Sequence, residues 1–207
     1  MTVSAAFLVK DPPIDRLAQL LEYLRPVVSD VVMVVDDRTA PETVDAMSTW
    51  RDVTLVPFRW VDDFSAARNA ALPHCTGDWI MVVDPDELPT LAMLEFIRLV
   101  DAVPQEDVDW QGIHYWAPLG YLFFTKNFYH GVQGPEFEEH WHCRLFKAGN
   151  QFYKPVHEQV ALRGLPEEVT RGTPLLPKAP LSAYLIHSNM DGAGTKGDVY
   201  AAIEAGT

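Results

Sequence analysis

Three carboxylates stand within four residues at the point where an apolar segment ends. The apolar residues 81–83 lead directly into Asp84, Asp86 and Glu87 in the stretch MVVDPDELP. Asp-x-Asp on a turn offers the hard oxygen ligands that Mg²⁺ and Mn²⁺ prefer, and such an ion keeps open positions for a diphosphate. A buried strand that surfaces into solvated charge has the same local sequence. The stretch alone therefore leaves a metal site and a plain strand end open.

A second acidic pair, Asp36 and Asp37, follows the apolar run 31–35. If the two apolar runs are parallel strands, both acidic clusters open onto the same rim of a sheet, which is where open α/β sheets bind ligands. Like charges repel there unless a cation or a hydrogen-bonding ligand is present. The two clusters together predict that this edge of the sheet binds a cation or a hydrogen-bonding ligand.

The elements that would position these clusters alternate regularly through the first hundred residues. Strands are predicted over 3–9, 31–35, 53–57 and 79–83, and helices begin at Pro13, at Pro41 and at Asp63 or Ser65. The order β-α-β-α-β-α-β predicts a mostly parallel sheet with helices on both faces. A further helix is predicted over about 90–100.

The second half of the chain is less regular. Strands are predicted over 110–116, 121–124, 142–146 and 183–187, between long aromatic loops that contain proline. Such loops commonly form binding walls or lids. The predicted fold class is therefore α/β, a Rossmann-type open and mostly parallel sheet with an irregular mixed α+β second half.

Composition limits the class of protein. A chain of 207 residues that is 48% hydrophobic has the size of one domain with a sizeable core, and its net charge of -13 disfavours a nucleic-acid surface. Cys75 and Cys143 match no disulfide framework and indicate reduced thiols of a cytoplasmic protein. No apolar run approaches the roughly 20 residues of a membrane span. The sequence is compatible with a homo-oligomer.

Several other classes of protein use the same residue types, but their motifs are absent from this sequence or would lie at a different position. The chain has no Gly-x-Gly-x-x-Gly and no Walker glycine-lysine sequence, which argues against classical dinucleotide and P-loop chemistry. A receiver domain would carry its acidic pair after the first strand, whereas here the pair follows the second.

Two blocks of the sequence resemble a known family. The blocks VVMVVDDRTAPET and WVDDFSAARNAALPHCTGDWIMVVDPDELP resemble the nucleotide-sugar-binding half of inverting family 2 glycosyltransferases with the GT-A fold. CRLFKAGNQFYKPVHEQV and YLIHSN resemble weaker downstream features of the same relatives. The resemblance implies one glycosyltransferase domain over 1–207, with a nucleotide-sugar-binding half over 1–100 and an acceptor half over 101–207.

The resemblance also implies an activity and a set of site residues. A sugar would move from a nucleotide diphosphate donor, expected to be UDP-linked, to an unidentified hydroxyl acceptor by inverting displacement with Mn²⁺ or Mg²⁺. Asp36 or Asp37 would lie near the nucleobase and ribose, and Asp84 with Asp86 at the metal and the donor sugar. Arg68 would lie near the diphosphate, since a guanidinium suits phosphate oxygens.

Other roles for residues of the Arg68 helix remain open from the sequence. Arg68 could be a solvated helix residue or a partner of Asp62 or Asp63, and Asn69 could be a local cap or turn residue.

The downstream half supplies the remaining candidates. His187 could be a third metal ligand or reach the diphosphate, or it could be a structural histidine. Glu158 is the leading candidate for the base that takes the acceptor proton. Its competitors are the glutamates of GPEFEEHWHC, namely Glu136, Glu138 and Glu139.

A zinc site is the less favoured interpretation of a nearby cluster. Its members would be His140, His142, Cys143 and His157. His140 and His142 would share one face of a strand, but Cys143 would point to the other.

Two rival functions remain. A nucleotidyltransferase uses a related sheet with a carboxylate-bound metal but releases pyrophosphate, although the glycine-rich N-terminal loop expected there is absent from FLVKDPPIDR. A non-catalytic nucleotide- or sugar-binding module is the other rival.

Overall fold

The computed structural model describes residues 2–100, 108–110, 113–115, 120–129, 132–133, 141–154, 159–161 and 178–189. In chain order the elements are β1 (Val3–Val9), α1 (Ile14–Leu24), β2 (Asp30–Asp36), α2 (Pro41–Ser48), β3 (Val53–Phe58), α3 (Phe64–Ala71), a 3-10 turn (Leu72–His74), β4 (Trp79–Val82), β5 (Glu87–Pro89), α4 (Leu91–Leu99), β6 (Val108–Trp110), β7 (Ile113–Tyr115), β8 (Gly120–Tyr129), β9 (Val132–Gln133), β10 (Trp141–Lys147), β11 (Gln151–Tyr153), β12 (Gln159–Ala161) and β13 (Tyr184–Asn189).

Strands from both halves of the chain join one nine-stranded sheet, whereas β6 with β7 and β11 with β12 form separate two-stranded sheets. The order of the nine-stranded sheet is β3-β2-β1-β4-β10-β8-β13-β5, with β9 beside β8. β1 to β4 are mutually parallel, and β10 is antiparallel to both of its neighbours, β4 and β8. The predicted mostly parallel sheet is confirmed, and its direction reverses locally where the second half begins.

Most predicted elements are present within a residue or two of their expected ends. Asp63, not Ser65, caps α3, because its Oδ1 accepts the N–H of Ala66 at 3.0 Å. The single strand predicted over 110–116 is wrong: β6 and β7 are separate short strands that pair antiparallel with each other.

β5 is a strand that the sequence pattern does not predict. This three-residue strand pairs antiparallel with β13 and includes Pro89. It is too short to show a period of two, and proline argues against a central strand, so no local signal marks it. β5 lies at the edge of the sheet, where a missing N–H is tolerated.

Each face of the sheet has its own apolar core. Val3, Ala5, Phe7 and Val9 of β1 pack into the core that buries α1 and α4, whereas Ala6 belongs to the core on the face of α3. Side chains of a strand point alternately to the two faces of the sheet, and here both faces are covered. This explains why the strands are continuous apolar runs in the sequence. β1, β2 and β4 are packed on both faces and therefore give a fixed support to the residues that follow their carboxyl ends.

Among the described residues, no helix is both long and apolar enough to cross a membrane.

Candidate functional site

A cleft of about 830 Å³ opens beyond the carboxyl ends of β1, β2 and β4. The first half of the chain contributes most of its ionisable groups, and β10, β12 and β13 contribute Arg144, Gln159 and His187. Asp36, Asp84 and Asp86 all line it. The structure thus brings together residues of the two acidic clusters on one edge of the sheet.

The charge of this cleft differs from that of the whole chain. Its described lining contains Lys10, Arg16, Arg38, Arg68 and Arg144 against Asp11, Asp36, Asp84 and Asp86. In a chain with a net charge of -13 such a concentration of cations is local. The cations outnumber the carboxylates of the described lining by one, so the cleft repels an anionic ligand less than the rest of this acidic chain does.

Asp84 lies between two arginine side chains. Its Oδ1 accepts from Nη2 of Arg68 at 2.9 Å, and its Oδ2 lies 3.4 Å from Nη1 of Arg144. Burial by itself would raise the pKa of Asp84, but the charges of Arg68 and Arg144 outweigh it and hold the pKa well below its usual range. Asp84 is therefore ionised, and the protein's own guanidinium groups relieve the repulsion expected from the sequence.

Arg144 also binds Glu87. No role for Arg144 was predicted from the sequence. Its Nη2 donates to Oε1 of Glu87, while Oε2 of Glu87 accepts the backbone N–H of Asp84 at 2.9 Å. Glu87 is 4% exposed; burial raises its pKa to about 7, against the opposing charge of Arg144. The signal available was an arginine next to Leu145 and Phe146 in an apolar strand, since such a charge needs a buried partner.

Asp86 and His187 are in direct contact. Asp86 Oδ2 lies 2.8 Å from Nε2 of His187, and the Asp86 side chain is 48% exposed. The hydrogen bond to Asp86 raises the pKa of His187, and burial opposes that shift. Nη2 of Arg16 donates to the backbone carbonyl of Asp86 at 2.9 Å, which fixes the turn that carries it.

The three expected metal ligands are only partly assembled. Asp86 and His187 touch, whereas Asp84 is bound by arginines. Within the described part of the chain, no three His, Cys, Asp or Glu side chains are grouped as a metal would need.

Asp36 and Asp37, which the sequence could not distinguish, have different surroundings. Both oxygens of Asp36 bind Arg38, whose Nε and backbone N–H lie 2.8 Å from Oδ1. The side-chain hydrogen bond from Arg38 lowers the pKa of Asp36. Oδ1 of Asp37 instead accepts the backbone N–H of Trp60 at 3.1 Å. Arg38 and Trp60 line the cleft, and the sequence reading singled out neither.

Helix α3 places Arg68 and Asn69 by different contacts. Arg68 is 9% exposed and pairs with Asp84, so the interpretation as a solvated helix residue is wrong. Asn69 is not a local cap: its amide donates to the carbonyl of Phe152 at 2.9 Å and accepts the N–H of Phe152 at 2.7 Å. Asn69 thereby ties β11 to α3 beside the cleft.

Several candidates from the sequence lie outside the described residues. They are Glu136, Glu138, Glu139, His140, His157 and Glu158. The zinc hypothesis keeps only two described members, His142 and Cys143, and the thiols of Cys143 and Cys75 are both free.

Comparison with known proteins gives one family match. The model of the family described as Glycosyl transferase family 2 matches residues 15–148, which is more than half of the chain. A TPR repeat-containing protein of Synechococcus elongatus is 39% identical over 87 residues, 41% of this chain and 20% of that protein. The prophage-derived glycosyltransferase SunS of Bacillus subtilis is 34% identical over 58 residues, 28% of this chain and 14% of that protein. The matched stretches thus span a fifth or less of these two relatives.

Solved structures share the fold. The structure of TarS residues 1-349 from S. aureus in complex with UDP-GlcNAc aligns with a TM-score of 0.61 at 14% identity, covering 94% of this chain and 60% of that one. HddC from Yersinia pseudotuberculosis aligns with a TM-score of 0.51 at 13% identity, covering 100% of both chains. These likenesses confirm the predicted open-sheet α/β fold.

Proposed function

The chain belongs to glycosyl transferase family 2, and from this premise we propose that it transfers a sugar from a nucleotide diphosphate donor to a hydroxyl acceptor. A UDP-linked sugar is the proposed donor, and inversion is the proposed outcome. The acceptor oxygen forms a bond to the anomeric carbon while the bond from that carbon to the diphosphate breaks. The acceptor proton passes to a base, and the nucleoside diphosphate leaves.

The observation that carries the proposal is the convergence of cationic side chains on one cleft of an acidic chain. Five Lys and Arg residues line it, between Lys10 and Arg144 in the chain. A diphosphate is the part of the donor that such groups would bind, and guanidinium groups suit its oxygens in geometry as well as charge. TarS, which shares the fold, is described in complex with UDP-GlcNAc.

Asp86 and His187 are the residues that would hold a divalent ion. The side chain of Asp86 is half exposed and touches His187. Mg²⁺ and Mn²⁺ are bound by one or two carboxylates and complete their shell with phosphate oxygens and water, so Asp86 fits as the carboxylate, and His187 would add a nitrogen ligand. Such an ion would stabilise charge on the departing diphosphate. Asp84, held ionised by Arg68 and Arg144, is proposed as an acceptor for hydroxyls of the donor sugar.

Glu158 is the proposed base. It lies outside the described residues, but Gln159, its neighbour in sequence, lines the cleft at the start of β12. Glu136, Glu138 and Glu139 remain its competitors. One domain over 1–207 is also proposed, and the single sheet that joins strands of both halves supports it.

Titration of the protein with UDP and UDP-sugars, with and without Mn²⁺, tests the proposal. We expect binding that requires the metal, and release of UDP when an acceptor is supplied. Asp86→Asn should weaken the metal-dependent binding of UDP, and Asp45→Asn, at an exposed helix position, is its control. Absence of any metal-dependent nucleotide binding would contradict the proposal.

The product distinguishes the two rivals. Release of pyrophosphate from a nucleoside triphosphate would favour a nucleotidyltransferase. Tight donor binding without hydrolysis or transfer, tested against a broad panel of hydroxyl acceptors, would favour a binding module.

A further inference from the structure

The cleft has a flat end, which carries the planar side chains of Arg38 and Trp60, and an ionic end, which carries carboxylates and their cationic partners. Trp60 follows β3, and Asp84 follows β4; with β2 and β1 between them, three strand spacings separate these ends by about 14 Å. Arg68, Asp84, Asp86 and His187 form the ionic end. A nucleoside diphosphate has the same arrangement along its length, because a planar base lies at one end and the diphosphate at the other.

Arg38 and Trp60 form the flat end. The guanidinium carbon of Arg38 lies 5.0 Å from the centroid of the Trp60 ring. Phe64 packs against the same ring in a T-shaped arrangement with centroids 4.9 Å apart, and Trp60 Nε1 donates to Asp62 at 2.7 Å. The Trp60 ring is therefore held in place by its contacts with Arg38 and Phe64 and by the hydrogen bond to Asp62. A base can stack against a platform of this kind.

Neither aspartate of the DDR sequence presents a free carboxylate to a base at this end. Asp36 has both oxygens bound to Arg38, and its side chain is 4% exposed. Asp37 binds the backbone of Trp60 and is not among the described residues that line the cleft. The side chain of Arg38, in contrast, is 48% exposed. The polar group that a base would meet is therefore a donor and not an acceptor.

We propose that the nucleobase of the donor stacks on Trp60 beside the Arg38 guanidinium, which recognises the base by donating to one of its ring carbonyl oxygens. The inference rests on the proposed function, which supplies a nucleotide donor. A guanidinium has five N–H donors, and Asp36 engages Nε and Nη2, which leaves further donors for the base. Uracil carries two ring carbonyls and adenine none, so uracil is selected over adenine. Asp36 acts as a positioning residue that sets the plane of Arg38.

Calorimetric titration with three probes in the presence of Mn²⁺ tests this assignment. The probes are UDP, ADP and ribose 5-diphosphate, which lacks a base. The unaltered protein should bind UDP about tenfold or more tightly than either other probe, as a hydrogen bond from a charged donor implies. In Arg38→Gln, the preference for UDP over ADP should be lost, because stacking on Trp60 is common to both bases, and the affinity for ribose 5-diphosphate should stay unchanged. Arg51→Gln makes the same change at an exposed position outside the cleft and should alter none of the three.

A second variant keeps the test valid if Arg38→Gln unfolds. Arg38→Lys retains a cation against Asp36 but loses the planar fork, so it should fold and lose the preference for UDP over ADP. Thermal melting establishes that each variant is folded.

The outcomes separate the two proposals. Binding of UDP that is unchanged in folded Arg38→Gln overturns the role of Arg38 and leaves the proposed function standing. Equal binding of UDP and ADP by the unaltered protein does the same, and so does an equal loss of UDP and ribose 5-diphosphate in the variant. Failure of the unaltered protein to bind any of the three probes overturns the proposed function, and the role of Arg38 with it.

Discussion

Asp86 Oδ2 lies 2.8 Å from Nε2 of His187, although 101 positions separate the two residues in the sequence. The contact joins the turn after β4 to β13, and the pairing of β13 with β5 brings it about, since His187 is the register partner of Glu87. It is the pair on which the proposed metal site depends.

Asp86→Asn should reduce transfer from a UDP-sugar by about 100-fold, because a neutral amide binds a hard divalent cation much more weakly than a carboxylate does. The side chain is half exposed, so the free energy of unfolding should change by less than about 1 kcal/mol. Steady-state kinetics with Mn²⁺ and urea denaturation measure the two effects. A variant as active as the unaltered protein at every Mn²⁺ concentration would rule out this role for Asp86.

Arg144→Met should destabilise the protein by about 2 to 3 kcal/mol, because Asp84 and Glu87 lose their charged hydrogen bonds to Arg144. Glu87, with a pKa already raised to about 7, then takes up a proton. Adding Glu87→Gln should recover part of that loss, since the amide is neutral and can still accept the N–H of Asp84. Urea denaturation of both single variants and the double variant gives the coupling free energy. Simple additivity of the two losses would show that the pair is not energetically coupled.

Asn69→Ala should lower stability by about 1 to 3 kcal/mol, because both of its hydrogen bonds to the backbone of Phe152 are lost inside the fold. Hydrogen exchange followed by mass spectrometry should show that β11 exchanges faster in Asn69→Ala than in the unaltered protein, whereas exchange in β1 should be the same in both. Asn150→Ala removes the hydrogen bond to the Lys147 carbonyl but keeps the two bonds between Asn69 and Phe152, and it should leave β11 as protected as before. Equal exchange of β11 in both variants would contradict a tie between β11 and α3.

Asp36→Asn should lower the free energy of unfolding by about 1 to 3 kcal/mol at pH 7, since Asp36 accepts charged hydrogen bonds from Arg38. The folded-state pKa of Asp36 lies below its unfolded value of about 3.9. Its contribution is therefore present above that unfolded value and is lost as pH falls through the folded pKa. Urea denaturation between pH 7 and pH 3 should show the gap to the unaltered protein narrowing on acidification. The exposed Asp45→Asn should show almost no gap, and a gap that widens in acid would reverse the sign argued here.

Cys75 and Cys143 should react slowly with iodoacetamide at pH 8. Burial raises the pKa of Cys75 to about 11 and that of Cys143 to about 12. About one thiol in a thousand or fewer is then the reactive thiolate. Mass spectrometry should find rapid alkylation of both only after unfolding in urea. Rapid modification of either thiol in the folded protein would contradict this burial.

Much of the first half could be predicted from sequence because its signals are local. The apolar runs of β1 and β2, the proline that precedes α1 and the cap at Asp63 act over a few residues. Parallel strands share a carboxyl edge, so the common location of Asp36 and Asp84 also followed. In contrast, β5 is three residues long, and only its partner β13 makes it a strand.

The sequence by itself determined the alternation of strands and helices, the family and the edge at which Asp36, Asp84 and Asp86 collect. Only the tertiary structure decided how each carboxylate is used: Arg144 arrives from β10 to bind Asp84 and Glu87, and His187 arrives from β13 to meet Asp86. The physical reason is that electrostatic contacts depend on distance through space, which strand order sets and local sequence pattern does not encode. The same aspartates therefore read alike in sequence and differ in the folded protein.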